Sequence, residues 1–526
     1  MSELTFGELV AARADDDHVG LRFGDDSWTW RELVAEARRR CALVADLAAP
    51  RHVALGMANT PEHLFWWLAA AIGGFTVVGV NPTRRGPELA RDLHHTNCAL
   101  VVADASRREV LEAADHGIRT LWVPSSVEPG GVPTYEDLLG PATAPGSRQA
   151  RPAGNAILSL VFTSGTTSDP KAVICTQARM GRIAQQQRDR RGLTGDDVFY
   201  VAMPMFHSNA VMAGIAPAVA TGGTIALREK FSASGFLPDV RRYGVTFFSY
   251  VGKPLSYILA TPEQPDDADN TLRLAFGNEA NEDDIAAFAR RFGCEVIDSF
   301  GSSEGEIRIN RTPDTPRGSL GRAPEGTVVL DPETLQECPP ARFDDQGRLL
   351  NGDEAVGEIV NLHGAELFEG YYANPEAEAA RLCHGWSWSG DLAYRDADGF
   401  FYFAGRNGDW LRVDGENVAI APIERLLTRF PSVVSAAVVA MPDERVGDQV
   451  RAVLELRPGV EFDPEEFAGF LRAQPDLATT WVPREVRVVR RLPRTPTTKV
   501  LKRAIPAEAG PDDQVWVRVG REIIYE

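Results

Sequence analysis

The chain is short of positive charge, with 55 lysines and arginines against 74 aspartates and glutamates and a formal net charge of −19. That deficit argues against nucleic acid and against an anionic membrane surface as partners, while leaving room for a local basic cleft. Paired cysteines are also missing. Cys41, Cys98, Cys175, Cys294, Cys338 and Cys383 are scattered, without a Cys-x-x-Cys pair or metal-ligand spacing. This excludes a disulfide framework and a zinc cluster and predicts reduced thiols. The opening residues, Met-Ser-Glu-Leu-Thr-Phe, lack a basic segment followed by an apolar one, so no signal peptide is read and the cytoplasm is the expected location. A membrane span is lacking too. The nearest candidate, Leu64 to Val80, is uncharged, but Gly73-Gly74 divides it and Phe75–Val80 is β-branched, which predicts a buried helix, a turn and a parallel strand. The Walker spacing Gly-x4-Gly-Lys-Ser/Thr is absent as well.

What is present is an ordinary globular composition, 44% hydrophobic and 25% charged, over 526 residues, enough for roughly two or three domains. Apolar runs alternate with helical stretches at His52–Met57, Phe75–Val80, Ala99–Ala103 and Thr120–Val123. A second series comprises Val198–Ala202, Gly223–Leu227, Thr246–Tyr250, Leu272–Phe276 and Glu295–Asp298. Such alternation predicts parallel βαβ units, here two stacked α/β sheets, with the Pro- and Gly-rich stretch Pro124–Gly154 as the link between them. From about Gly318 to Ala404 short strands and many turns predict a small antiparallel or β-barrel subdomain. After Trp410 a compact α+β module is expected, with helices at Ile423–Phe430 and Pro464–Gln474, the second capped by Asp463, and strands at Val433–Met441, Val450–Leu456 and Glu485–Val489. The fold class is therefore α/β: a large N-terminal domain of two stacked α/β subdomains plus a small β-barrel over residues 1–407, followed by an α+β module over 408–526.

Five segments carry chemistry. Phe162-Thr-Ser-Gly-Thr-Thr-Ser-Asp-Pro-Lys-Ala172 leaves a buried strand and sets the hydroxyls of Thr163, Ser164, Thr166 and Thr167 around Gly165, with Lys171 as a point charge. It reads as a phosphate-gripping loop. Ser299-Phe-Gly-Ser-Ser-Glu-Gly305 follows the strand Glu295–Asp298 and offers a stacking face on Phe300, hydroxyls on Ser302 and Ser303, and a carboxylate on Glu304 suited to Mg²⁺. Asp391 in Trp388-Ser-Gly-Asp391 can accept from two ribose hydroxyls, and Arg406 can donate to ribose or phosphate. Gly408 and Gly415 sit at the seam before the last module and suit a hinge. Leu492-Pro-Arg-Thr-Pro-Thr-Thr-Lys-Val-Leu-Lys502 holds an extended loop that would carry Lys499 into a distant cleft. Taken singly, each has an ordinary reading as a polar turn, a surface arginine or a solvated lysine.

Together and in this order the segments resemble the adenylate-forming superfamily of acyl-CoA synthetases, peptide-synthetase adenylation domains and luciferases. Further matching signatures are Pro204-Met-Phe-His207, Gly277-Asn-Glu279, Gly370-Tyr-Tyr-x-Asn-Pro-Glu376 and Pro493-Arg-Thr-x-Thr-x-Lys499. Asn81-Pro-Thr-Arg-Arg-Gly86, Tyr250-Val-Gly252 and Gly408-Asp-x-x-Arg-x-x-Gly-Glu-Asn417 are similar to actinobacterial long-chain acyl-CoA synthetases and fatty-acid transport proteins. The resemblance implies a two-step ligase using ATP, Mg²⁺ and CoA on a hydrophobic carboxylate. It assigns the β,γ-phosphates to Thr163–Thr167 and Lys171, Mg²⁺ to Glu304 and Thr163, and adenine to Gly277, Asn278, Glu279 and Phe300, counts Gly301 and Ser302 among the nucleotide-binding residues, and makes residues 408–526 a mobile lid that carries Lys499. Ribose falls to Asp391 and Arg406, the α-phosphate to Thr163, Ser303 and Lys499, and the border of the acyl pocket to His207, which as a lone histidine equally suits a packed core. The sequence departs from the usual pattern at Ser168, Phe300 and Gly408. Ser168, with Asn209, keeps open a second reading, an ATP-dependent diazotase that activates nitrite and acts on an arylamine without CoA. A third, a nucleotide- or acyl-binding protein without catalysis, conflicts with the retention of Lys171, Glu304, Asp391, Arg406 and Lys499.

Overall fold

A computed structural model describes residues 4–46, 52–123, 139, 151–163, 171–345, 347, 349–406, 410–413, 416–443, 447–474, 477, 481–495, 500–520 and 522–526. Its first sheet runs in the order Thr120–Val123, Leu100–Asp104, His52–Gly56, Thr76–Gly79, Ile157–Thr163, Lys171–Thr176. Pairing is parallel until the last two strands, which form an antiparallel hairpin with Thr163 opposite Lys171. The strands at its centre are buried along their length, as expected of a parallel sheet covered on both faces.

The second sheet has the order Arg308–Asn310, Glu295–Gly301, Leu274–Asn278, Phe247–Val251, Val198–Val201, Thr224–Leu227, Val19–Phe23, Asp26–Thr29, parallel except at its two edges. One expectation is corrected here. The hairpin carrying Lys171 belongs to the first sheet, so Pro124–Gly154, of which 124–138 and 140–150 lie outside the described residues, connects two strands of that one sheet and is not the link between the two sheets. The strand Val19–Phe23, from the far N-terminus, pairs into the second sheet beside Thr224–Leu227. Apolar periodicity reports that a strand is buried, but not which parallel neighbour it selects.

The sheets share one core. Pro61–Gly73, the helix of the uncharged stretch, starts with Thr60 accepting from the His63 amide and Pro61 in its first turn, and stops at Gly74 in the left-handed region at φ 73°. Its Leu64, Trp66 and Leu68 pack with Val53 and Leu55 of one sheet and Phe199 and Val201 of the other. No helix among the described residues is long and apolar enough to cross a membrane.

The expected small barrel takes the form of a five-stranded antiparallel sheet in which Thr327–Leu330, Gly357–Asn361, Trp386–Arg395 and Leu382–Cys383 pair as an open path and Phe401–Arg406 joins Trp386–Arg395. The last module is α+β as read, with Asp463 capping Pro464–Arg472 by accepting from the Glu465 and Glu466 amides. Gly447–Leu456 and Glu485–Val489 are parallel neighbours in its six-stranded sheet. The module docks through Arg425, whose guanidinium donates to the carbonyls of Phe403 and Gly318. Arg494 also lies 5.3 Å over the Tyr257 ring while pairing with Glu455 at 2.8 Å.

Candidate active site

A cavity of about 740 Å³ opens where the two large sheets meet the antiparallel one. Its wall includes Lys171, His207, Asn278, Glu279, Phe300, Gly301, Ser302, Ser303, Glu304 and Asp391, residues drawn from segments more than two hundred positions apart. Gly277 is not on the wall. It packs behind, where an added Cβ would lie 2.4 Å from the Tyr250 carbonyl oxygen, so the strands can close only on glycine. Of the remaining expected residues, Ser164, Gly165, Thr166, Thr167, Ser168, Gly408 and Lys499 lie outside the described residues, as do the side chains of Thr163 and Arg406.

Glu304 follows a strand that is longer than the sequence suggested. Ser299–Gly301 is not a loop but the end of the strand Glu295–Gly301, held by antiparallel pairing of Phe300 with Ile309 and Gly301 with Arg308. The turn begins at Ser302, whose carbonyl accepts from the Gly305 amide. Edge pairing with a late strand is a tertiary event, and local composition of Ser and Gly hid it.

Glu304 is 7% exposed, and its Oε1 accepts a 2.7 Å hydrogen bond from the Tyr371 hydroxyl. Burial pushes its carboxyl up, but the Arg381 guanidinium, the Tyr371 hydroxyl, its own backbone and Ser302 outweigh this and hold it below the ordinary carboxylate range. Arg381 in turn donates to Glu306 and to the Ser389 carbonyl, two residues before Asp391. Tyr371 also meets Lys171. Lys171 Nζ sits 5.4 Å from its ring centre, and the backbone of Val173 bridges to Tyr371. The point charge and the carboxylate are therefore set relative to each other by one tyrosine, which the sequence displayed in its Gly370-Tyr-Tyr motif without revealing the role.

Arg179 supplies the second brace. Thr176 caps the helix Gln177–Arg191 and Arg179, 4% exposed in its first turn, donates to the carbonyls of Ile174, Ser303 and Glu304 at 2.8, 2.6 and 2.8 Å. No local signal marked this arginine, since its partners are far away in sequence.

Across the cavity, Asn278 Nδ2 donates to the Ser299 carbonyl at 2.5 Å, and Glu279 takes a left-handed backbone at φ 68°. Beneath them Asp298 Oδ2 accepts from the Tyr250 hydroxyl at 2.9 Å and the Ala280 amide at 3.1 Å. Burial pushes the Asp298 carboxyl up to about 7 against the pull of those two donors and of Arg311. Asp391 is 8% exposed within the strand Trp386–Arg395, its amide bonded to Ser389 Oγ, and its register partner on the neighbouring strand is Arg406. The fifteen-residue spacing is thus a cross-strand pair. His207 is on the wall beside Ser208, whose hydroxyl lies 3.0 Å from that of Ser303.

No group of three or more His, Cys, Asp or Glu side chains suited to a metal occurs among the described residues. A single ionised carboxylate in a polar cleft still fits Mg²⁺, which binds through one or two carboxylates and completes its shell with substrate phosphates and water.

The AMP-binding enzyme family matches residues 8–372, and the AMP-binding enzyme C-terminal domain matches residues 422–499. The chain is 47% identical to the steroid-22-oyl-CoA synthetase of Rhodococcus jostii (strain RHA1), covering 99% of this chain and 94% of that one. It is 46% identical to the medium/long-chain-fatty-acid–CoA ligase FadD17 of Mycobacterium marinum, over 97% and 98%. Among solved structures it is similar to a benzoate CoA ligase from Burkholderia xenovorans LB400, with a TM-score of 0.80, 23% identity and 95% and 99% coverage, a likeness of fold. A matched family over most of the length, relatives sharing nearly half its residues from end to end, and one cavity that gathers the expected side chains lead to one conclusion: the chain belongs to the AMP-binding enzyme family.

Proposed function

We propose that the protein is an ATP-dependent acyl-CoA ligase that adenylates a hydrophobic carboxylate, releases pyrophosphate and passes the acyl group to CoA with release of AMP. The observation that carries this reading is the chain Lys171, Tyr371, Glu304, Arg381, which places a phosphate-binding charge and an ionised carboxylate in one cavity with Asp391 and Phe300. Lys171 and the hydroxyl loop restrain the terminal phosphates. Glu304 holds Mg²⁺, and that ion supplies charge neutralisation on the phosphate oxygens. Phe300 stacks the adenine, Asp391 and Arg406 take the ribose, and Lys499 offsets the charge that builds on the α-phosphate during in-line attack.

Residues 1–407 form the adenylating domain, and 408–526 the lid, turning about Gly408 between half-reactions. On either side of the stretch that holds Lys499 in sequence, Arg494 and Val500 form a bridge and the Leu501 amide donates to the Pro493 carbonyl at 2.8 Å. Arg494 lies over the ring of Tyr257 in the larger domain. A second cavity, of about 1030 Å³ and lined by Arg107, Lys230, Arg490 and Arg491 from both domains, suits the phosphates of CoA. Because ATP and CoA are intracellular substrates, we place the enzyme in the cytoplasm.

The relatives reported above are CoA ligases, and nothing in the site favours nitrite and an arylamine over a carboxylate and CoA. The test is AMP release across fatty, alicyclic and aryl acids, each with and without CoA. CoA-dependent AMP release with a hydrophobic acid is expected, whereas AMP release that requires nitrite and an arylamine but no CoA would overturn the reading. Lys499→Ala should slow adenylate formation at least about a hundredfold while thioester formation from supplied acyl-adenylate persists; equal loss in both half-reactions removes the role given to Lys499.

A further inference from the structure

The cavity wall is not uniformly apolar. One face of the helix Gln177–Arg191 lines it with Ile183, Gln186, Gln187, Arg190 and Arg191, at the i, i+3, i+4, i+7, i+8 spacing of a single helical stripe. Such a stripe, facing a cleft that receives a hydrophobic acid, would ordinarily be aliphatic. Arg308 joins it from the neighbouring strand, Nη1 bonded to Gln186 at 3.3 Å. Met212, Ala213, Val251 and Phe276 line the same cavity.

Three arginines therefore converge on one region of the cavity. Among the described residues, none of Arg190, Arg191 and Arg308 has a carboxylate within ion-pair distance. Arg191 lies 3.7 Å over the Phe276 ring, and its Nε is buried with no hydrogen-bond partner among the described residues. Burial and the neighbouring Arg190 push it down to about 10, with only Glu295 acting in the other direction. Burial likewise lowers Arg308, with Arg190, Arg179 and Arg182 adding repulsion. A cluster of like charges costs stability in the empty protein, and in a chain with a net charge of −19 it is not a by-product of composition.

Distance along the helix places the cluster. Arg179 braces the turn at Glu304, and Arg190 is eleven residues further on, about 16 Å at the helical rise. Arg190 and Arg191 thus stand away from the turn at Glu304, while Arg308, the register partner of Gly301 and near enough to Arg179 to feel its charge, reaches toward them through Gln186. The phosphates of CoA are assigned above to the second cavity, with Arg107, Lys230, Arg490 and Arg491, and those of ATP to the Lys171 and Glu304 end of this one, so the acyl substrate is the ligand left for the arginine cluster.

Resting on the acyl-CoA ligase reading, we infer that Arg190, Arg191 and Arg308 bind a second carboxylate at the end of the acyl substrate remote from the carboxylate that is adenylated. The substrate class is a hydrophobic dicarboxylic acid, its carbon frame on Met212, Val251 and Phe276 and its far oxygens on the guanidinium groups.

The test compares kcat/KM for monocarboxylic and α,ω-dicarboxylic acids of matched chain length, with ω-oxo acids as neutral acceptors, in the wild type, Arg308→Gln, Arg191→Gln and the exposed, folding-safe Arg190→Gln. The wild type is expected to prefer the diacid of best length, and the ratio of diacid to monoacid kcat/KM is expected to fall at least about tenfold in Arg308→Gln and Arg191→Gln, mainly through KM. Arg190→Gln should move the ratio the same way by a smaller factor. A ratio unchanged in all three variants overturns the inference, as does a wild-type preference for monoacids or for ω-oxo acids. A rise in the KM for CoA with no change in the diacid KM also overturns it, because the cluster would then serve the thiol substrate. Absence of CoA-dependent AMP release with every acid would instead overturn the ligase reading, so the two failures are distinct.

Discussion

At the scale of the residue, the cavity depends on side chains whose protonation is set by burial more than by neighbours in sequence. Asp298 is the clearest case, a carboxyl pushed up to about 7 beneath the Asn278–Glu279 wall while Tyr250 and the Ala280 amide donate to it. In the unfolded chain the same group has an ordinary carboxylate pKa near 4, so the folded state binds the extra proton between about pH 4 and pH 7. Stability from this group is therefore fully present below about pH 4 and is lost as pH rises through about 7, by up to about 4 kcal/mol. Asp298→Asn keeps an acceptor for both donors and removes the titration. Denaturant unfolding at pH 5 and pH 8 should show a smaller loss of stability with rising pH in the variant than in the wild type. An identical loss in both proteins would show that Asp298 does not titrate in this window.

At the scale of the element, the site is assembled by braces between strand ends and one helix N-terminus. The hairpin Ile157–Thr163 and Lys171–Thr176 delivers the phosphate loop, the helix Gln177–Arg191 starts directly after it, and Arg179 ties both to the turn at Ser303–Glu304. Arg179→Ala leaves buried carbonyls without donors and should cost about 3 kcal/mol in unfolding free energy and slow pyrophosphate release at least about tenfold. Arg179→Lys, which keeps the charge but not the forked geometry, should recover part of the stability and less of the rate. Loss of stability with an unaltered pyrophosphate rate would separate the brace from the positioning of Glu304. These elements were legible to different degrees. The strand Leu100–Asp104 and the helix Pro61–Gly73 follow from apolar runs, a proline start and a glycine stop, all local signals. The extension of Glu295–Gly301 and the membership of Val19–Phe23 in the second sheet were not legible, because edge pairing is chosen by a distant partner.

At the scale of the whole molecule, directional contacts join the C-terminal module to the rest of the chain among the described residues. Arg425, on the helix Ile420–Leu427, crosses to the carbonyls of Phe403 and Gly318, and Lys502 pairs with Glu424 at 3.0 Å within the lid. Arg425→Ala should loosen the docked lid without unfolding either core, since the lid has its own cluster around Phe430, Phe467 and Leu471. Hydrogen exchange is expected to rise in Phe401–Arg406 and Ile420–Leu427, with adenylate formation slowed about threefold to tenfold. Unchanged exchange at both segments would place the docking energy elsewhere.

The sequence by itself determined the α/β class, the strands and helices with strong periodicity, the free cysteines and some of the residues on the cavity wall, Lys171, Glu304 and Asp391 among them. It did so because propensity, caps, glycine stops and side-chain chemistry act over a few neighbouring positions. The tertiary structure alone decided that Gly277 packs behind the wall, that Tyr371 and Arg179 hold Glu304, and that Asp391 faces Arg406 across two strands. It also decided that an arginine stripe from Gln177–Arg191 meets Arg308 in the same cleft. Each of these is a contact between segments far apart in the chain, and burial there changes charge and hydrogen bonding in ways no local pattern encodes.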